Sequence, residues 1–225
     1  MSRRRSLRGV GLRSTRSLLA RCIPTADNVR GPFYRAGAPF RVRLADEDEP
    51  GQRLTISGRL TGLPDCRPLG GAVLDVWQTN ARGLYSNLLG IRDPHDPKTF
   101  RLRGRFRTSA EGFYRIDTIV PGHYPLGFLT RPRHIHLVAT SPAYRTLVTQ
   151  LFFAGDRYLA RDPWVKDELV IELIGEDSPG TPGPRYHGHF DIALERSGAR
   201  EEGRRGRALV RDALNLDYLE KFRGH

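Results

Sequence analysis

The sequence predicts an all-β protein, a β-sandwich, on three observations. It carries 24 Gly and 16 Pro in 225 residues, a density of turn formers that suits short strands better than long helices. Between the turns lie strand-length runs in which apolar residues alternate with polar ones or form unbroken blocks. These runs recur at regular intervals from residue 54 to residue 194, the rhythm of two packed sheets.

The elements follow in order. Residues 1–22 form a basic arm, expected to be disordered, with seven Arg and no acid in residues 1–21. From Ile23 to about Ala45 the chain is loop-like, with Gly31-Pro32-Phe33-Tyr34 and Gly37-Ala38-Pro39, and Pro50-Gly51 makes a turn. Leu54–Leu60 alternates, with Leu54, Ile56 and Leu60 on one parity, so it is a strand with one buried face. Gly71–Thr79 is mostly apolar and is expected to be buried on both faces. Phe100–Thr108 interleaves Arg with Phe, Leu and Gly. Gly112–Val120 follows the turn Ala110-Glu111-Gly112. His134–Thr140, Leu147–Phe153, Lys166–Gly175 and Arg185–Leu194 complete a sandwich domain spanning 23–195. Residues 196–225 are a polar linker and a short helix over Arg207–Phe222, whose apolar residues recur at helical spacing.

Composition excludes several classes. The chain is 38% hydrophobic and 28% charged, the balance of a folded globular domain. No run approaches the roughly 20 apolar residues of a membrane-spanning helix, so no membrane partner is expected. The net charge of +12 is concentrated in the arm, which argues against a nucleic-acid-binding surface on the domain. Two cysteines, Cys22 and Cys66, are too few for a disulfide scaffold and are expected as free thiols. The arm lacks the apolar core of a secretory signal, so the expected location is cytoplasmic, though its Arg/Ser bias leaves targeting open.

The chemistry concentrates in Arg131-Pro132-Arg133-His134-Ile135-His136. On a strand, His134 and His136 share a face about 7 Å apart along the chain, close enough to reach one metal ion. A structural histidine pair would look the same. A second pair, His187-Gly188-His189, lies in the last strand, where exposure explains it equally well. If both pairs converged they would make a zinc or copper site. Tyr85 ends the segment Asp75-Val76-Trp77-Gln78 through Gly83-Leu84, and Tyr124 lies in Val120-Pro121-Gly122-His123-Tyr124-Pro125. Both are tyrosines in turns after strands.

From Gly31 to Asp156 these segments, with Thr149-Gln150-Leu151-Phe152-Phe153-Ala154-Gly155-Asp156, resemble the intradiol ring-cleavage dioxygenases in order and spacing. This family includes protocatechuate 3,4-dioxygenase and catechol 1,2-dioxygenase. The chain resembles its single-domain branch, in which a prealbumin-like sandwich is nearly the whole protein. The resemblance implies one mononuclear non-haem Fe(III) held by Tyr85, Tyr124, His134 and His136, a hard cation matched by anionic phenolates. It implies insertion of both atoms of O2 into a catechol-type aromatic, cleavage between the two hydroxyl-bearing carbons and a cis,cis-muconate-type product. Tyr124 is then the ligand that leaves and takes a substrate proton. Arg131 stabilises anionic charge on the substrate, and Gln150 lies against a histidine ligand or the metal-site hydroxide. Homo-oligomers are implied too. Leu126-Gly127 stand where protocatechuate enzymes carry Trp and Arg, so the ring substituent is left open. The competing reading is a non-catalytic binding protein on the same sandwich.

Overall fold

The computed structural model describes residues 22–86, 100–177 and 183–198. The arm to residue 21 and the C-terminal helix at 207–222 lie outside the described residues. Among the described residues there are thirteen strands. They are β1 (Arg53–Gly62), β2 (Arg67–Pro68), β3 (Val73–Trp77), β4 (Arg103–Arg107), β5 (Phe113–Ile119), β6 (Tyr124–Leu126) and β7 (Leu129–Arg131). They continue with β8 (His134–Thr140), β9 (Leu147–Phe153), β10 (Val170–Ile171), β11 (Ile174–Glu176), β12 (Arg185–His189) and β13 (Ile192–Leu194). Two sheets face each other, so the architecture is the predicted all-β sandwich.

One sheet has the order β10-β9-β8-β3-β4. The other is built on β1, with β12 and β13 parallel along one side and β5 and β2 antiparallel along the other. The alternation in β1 sends Leu54, Ile56 and Leu60 inward against Leu74, Val76, Ile116, Ile135, Leu137 and Ala139. These side chains form the main core between the sheets.

The five-stranded sheet is also covered on its outer face, which is why β8 and β9 are buried almost throughout. A strap of non-repetitive chain, residues 22–45, does the covering. It is pinned at Thr25 N to Ala193 O (3.1 Å), at Asn28 N to Val148 O (2.7 Å), along β4 through Arg105 N to Pro39 O (2.8 Å), and at Leu44 N to Asp117 O (2.8 Å). A second apolar cluster of Trp77, Tyr85, Tyr124 and Val138, packed by Phe33, Tyr34 and Leu126, forms beneath it.

Three differences from the sequence reading have physical causes. The run Lys166–Gly175 is split into a 3-10 turn at Asp167–Leu169, then β10 and β11, which pair in different sheets. The run Arg185–Leu194 breaks at Phe190-Asp191, where the Asp191 carboxylate takes the Arg59 N–H (2.8 Å) in place of a ladder carbonyl. The cysteines are not free thiols: Cys22 and Cys66 form a disulfide that ties the start of the strap to the turn between β1 and β2.

Closing a loop of 44 residues should contribute up to about 4 kcal/mol by restricting the unfolded chain. Thiol titration of the unreduced, unfolded protein should find no reactive cysteine. Reduction, or the double change Cys22→Ser and Cys66→Ser, should lower Tm by roughly 10 °C. An unchanged Tm after verified reduction would show that the bond adds nothing to the fold.

Candidate active site

The site lies on the outer face of the five-stranded sheet, and β8 supplies its floor. With Ile135 and Leu137 committed to the main core, His134 and His136 must point the other way. Both are almost fully buried. Nδ1 of His134 donates to the Pro132 carbonyl (2.6 Å), which leaves its Nε2 lone pair facing Nε2 of His136 at 3.2 Å. Two nitrogens at that separation can each lie about 2 Å from one ion. Burial, with help from Arg131, pushes His134 down to about 3. Burial, together with His134, pushes His136 well below its usual value. Both imidazoles are therefore neutral at ordinary pH, the form that donates a lone pair.

His136 is held on two sides. Trp77, directly opposite on β3, stacks on it in parallel at 4.7 Å and 4°. Tyr34 lies against Trp77 at 4.9 Å and donates to Asp75 (3.1 Å). From the strap, Gly31 sits over the ring. A Cβ there would meet His136 Cε1 at 3.2 Å, and the φ of +73° suits glycine.

Tyr85 arrives on a turn fastened from within. Asn80 Oδ1 accepts the N–H groups of Arg82 and Leu84, both at 3.0 Å, and Gln78 spans to Ile119 O (2.9 Å) and Thr118 Oγ1 (2.9 Å). The buried ring stacks on Phe33 at 4.5 Å and meets Tyr124 edge-on at 5.4 Å. Its Oη is buried with no hydrogen-bond partner among the described residues. Burial, then the neighbouring Tyr124, pushes its pKa well up.

Tyr124 and Arg131 are directly opposite each other in the hairpin β6–β7, which turns at Gly127-Phe128. Arg131 is 1% exposed. It pairs through Nε with Asp162 and donates to Tyr124 Oη (3.3 Å) and Gln150 Oε1 (2.9 Å). Gln150, across from His136 on β9, donates to Val29 O (2.7 Å) and Asn28 Oδ1 (3.2 Å). Its amide thus braces Arg131 against the strap.

Every residue singled out for the main site, Tyr85, Tyr124, His134, His136, Arg131 and Gln150, is therefore in one cluster. His187 and His189 are not. They lie in the other sheet, beside Glu176 (3.6 Å) and Asp191 (3.1 Å), and are partly to largely exposed. Sequence reasoning missed Arg103. This buried cation on β4 lies over the Tyr85 ring (5.6 Å), donates to Ser86 Oγ (3.0 Å), and is pushed down to about 10 by burial. The Arg alternation in Phe100–Thr108 was its signal: one parity of that strand faces the covered side of the sheet.

Two phenols and two neutral imidazoles offer an ion both anionic oxygen and nitrogen. Imidazole suits iron, copper, zinc and nickel, and phenolates add charge that favours a trivalent ion. The chain matches the family model Dioxygenase_C, described as Dioxygenase, over residues 29–196. It is 38% identical over 155 residues to catechol 1,2-dioxygenase 2 of Acinetobacter lwoffii, covering 61% of this chain and 54% of that enzyme. It is 34% identical over 178 residues to chlorocatechol 1,2-dioxygenase of Rhodococcus opacus, covering 69% and 67%. Its fold resembles the dioxygenase domain of a dioxygenase carbohydrate-binding protein fusion from Streptomyces sp. SirexAA-E. There the TM-score is 0.64 and the identity 34%, over 78% of this chain and all of that domain. The chain thus spans just over half the length of the Acinetobacter enzyme.

Asp75 gives the covered face a pH signature. Burial raises it from 3.8 to about 6, against the lowering effects of Tyr34 and nearby arginines. A folded-state pKa above the unfolded one means that its contribution is complete below about pH 4 and is lost as pH rises through 6. The stability of the native protein relative to Asp75→Asn should therefore fall by roughly 2–3 kcal/mol between pH 4 and pH 7 in denaturant titrations. A pH-independent difference would sink this assignment.

Proposed function

The chain belongs to the intradiol ring-cleavage dioxygenases, and from that premise we propose that it is a non-haem Fe(III) enzyme acting on a catechol-type aromatic with O2. It inserts both oxygen atoms, cleaves between the two hydroxyl-bearing carbons and yields a cis,cis-muconate-type product. The observation that carries this reading is the convergence of Tyr85, Tyr124, His134 and His136 under one cover. The set fits the ion. The Tyr85 Oη has no geometrically formed hydrogen bond among the described residues, and the two Nε2 atoms already face each other. These four residues would hold Fe(III), which when bound supplies a hard Lewis acid on which a catecholate can chelate and become reactive toward O2.

The remaining roles belong to the chain. Tyr124 would be the phenol that takes a substrate proton, at Oη. Arg131 already reaches that oxygen and can hold the freed phenol by its hydrogen bond. The same guanidinium, fixed by Asp162 and Gln150, cannot swing away, so its charge is preorganised for anionic character on the ring. Phe33, stacked on Tyr85 and edge-on to Tyr124, helps exclude water from the cluster. Homo-oligomer formation is part of the proposal. The Cys22–Cys66 bond supports an oxidising compartment over the cytoplasmic one expected from the sequence.

The test is a visible spectrum of ferric-loaded protein before and after anaerobic catechol, followed by oxygen uptake. Tyrosinate-to-iron charge transfer should colour the protein, the band should move to longer wavelength with catechol, and one O2 should be consumed per ring opened. Tyr85→Phe and His136→Ala should lose bound iron. Full iron and activity in either variant would overturn the ligand assignment, and a protein colourless after ferric loading would overturn the function.

A further inference from the structure

Asp156 lies just past β9 and takes no part in the reaction outlined above. Its side chain is 3% exposed. Oδ2 accepts from His123 Nε2 at 2.8 Å and from the Arg133 N–H at 2.9 Å. Oδ1 accepts from the Tyr158 N–H at 3.0 Å. His123 immediately precedes Tyr124 in the chain, and Arg133 immediately precedes His134. One buried carboxylate thus joins the two segments that deliver a phenol and an imidazole from different sheets of the fold.

The junction reaches the other donors. Gly83, in the turn that delivers Tyr85, approaches the His123 carbonyl so closely that a Cβ would lie 1.7 Å from its oxygen. His136 is two residues beyond His134 on the same strand. The His123 ring is also fixed from its far side, edge-on to Tyr158 at 4.8 Å. The carboxyl is built to be charged. Burial pushes its pKa up, but the Arg133 and Tyr158 N–H groups, with His123, outweigh that and bring it below the usual range.

We propose that Asp156 is a positioning residue that sets the spacing of the four donors by clasping the chain beside Tyr124 to the chain beside His134. The inference rests on the reading of Tyr85, Tyr124, His134 and His136 as ligands of one ion. Its physical basis is leverage. Each clasped residue is one peptide unit from a donor, so the clasp fixes donor separation directly, whereas the main core fixes only the sheets. Sites of this kind tolerate about 0.5 Å of error before function suffers. Groups one shell out from a metal are typically worth 10- to 100-fold in its affinity.

The test uses the full chain and ferric ion, with Asp156→Ala, Asp156→Asn and His123→Gln. Three readouts are needed: Fe(III) affinity against a competing chelator, the position of the visible charge-transfer band, and amide hydrogen exchange at Arg133 and Tyr158 in the metal-free protein. In Asp156→Ala the affinity should fall at least tenfold, the band should shift, and both amides should exchange faster. Asp156→Asn keeps one acceptor oxygen, and His123→Gln removes one arm. Both should fall between that variant and the native protein, and both test the clasp should Asp156→Ala fail to fold. Affinity within twofold of native and an unmoved band would overturn the proposal, even if Tm dropped, because a purely structural role moves Tm alone. If the native protein binds no ferric ion, the proposed function falls. Unchanged exchange at Arg133 and Tyr158 would then overturn the clasp separately.

Discussion

Strand β8 is covered on both faces, and its alternation places two kinds of side chain in two kinds of interior. Ile135, Leu137 and Ala139 enter an apolar core that gains from excluding water. His134 and His136 enter a smaller interior lined by Trp77, Tyr85 and Tyr124, where every polar atom needs a partner or a ligand. The strap over this face, its attachment to Gln150 through Val29 and Asn28, and the glycine at position 31 all serve that second interior. Without the strap, β8 would be an ordinary half-solvated strand, and its imidazoles would be neither desolvated nor aimed at each other.

Charge is handled in the same confined space. Arg131 and Arg103 are both buried, each beside one phenol, Arg131 on Tyr124 and Arg103 on Tyr85. Burying a guanidinium is costly unless its charge is answered. Arg131 is answered by Asp162, itself fully buried and fixed through the Trp164 N–H (2.8 Å). Burial pushes the Tyr85 phenol toward its neutral form, and Arg103 and Arg131 are the cations that favour its ionisation. A cation bound beside Tyr85 would tip that balance toward the phenolate.

The strands that carry the site were legible because their local pattern and their environment agree. His134–Thr140 and Leu147–Phe153 were predicted with the bounds observed, since both are central, two-face-buried strands with dense apolar sequence. Lys166–Gly175 was not legible as two strands in two sheets, because sheet membership depends on partners far along the chain. The strap and the Cys22–Cys66 bond escaped for the same reason, since each is defined by long-range contact, whereas the β6–β7 hairpin is local but its three-residue strands are too short to show alternation. Asp156 left no local sign, and the alternation that carries Arg103 was ambiguous. An aspartate after a glycine reads as a turn, and an arginine in an alternating strand reads as a solvated face until the face is known to be covered.

The two His-x-His pairs make the point sharply, because their local sequences are nearly equivalent. Both lie on strands, and in both alternation puts the imidazoles on one face. His187 and His189 look out from the six-stranded sheet, where Glu176 and Asp191 meet them at the surface and water does the rest. For such exposed pairs a nearby carboxylate adds little. Among the described residues His134 and His136 form no ion pair with a carboxylate, and Asp156 acts on His134 only at longer range. They have a stacked indole, two phenols and a carbonyl that fixes one tautomer. With water removed, His134 Nε2 can accept only from Nε2 of His136, and that donation leaves Nδ1 of His136 without a partner among the described residues. A shared cation would instead take both Nε2 lone pairs, and the cover over the sheet is what keeps water from competing for them.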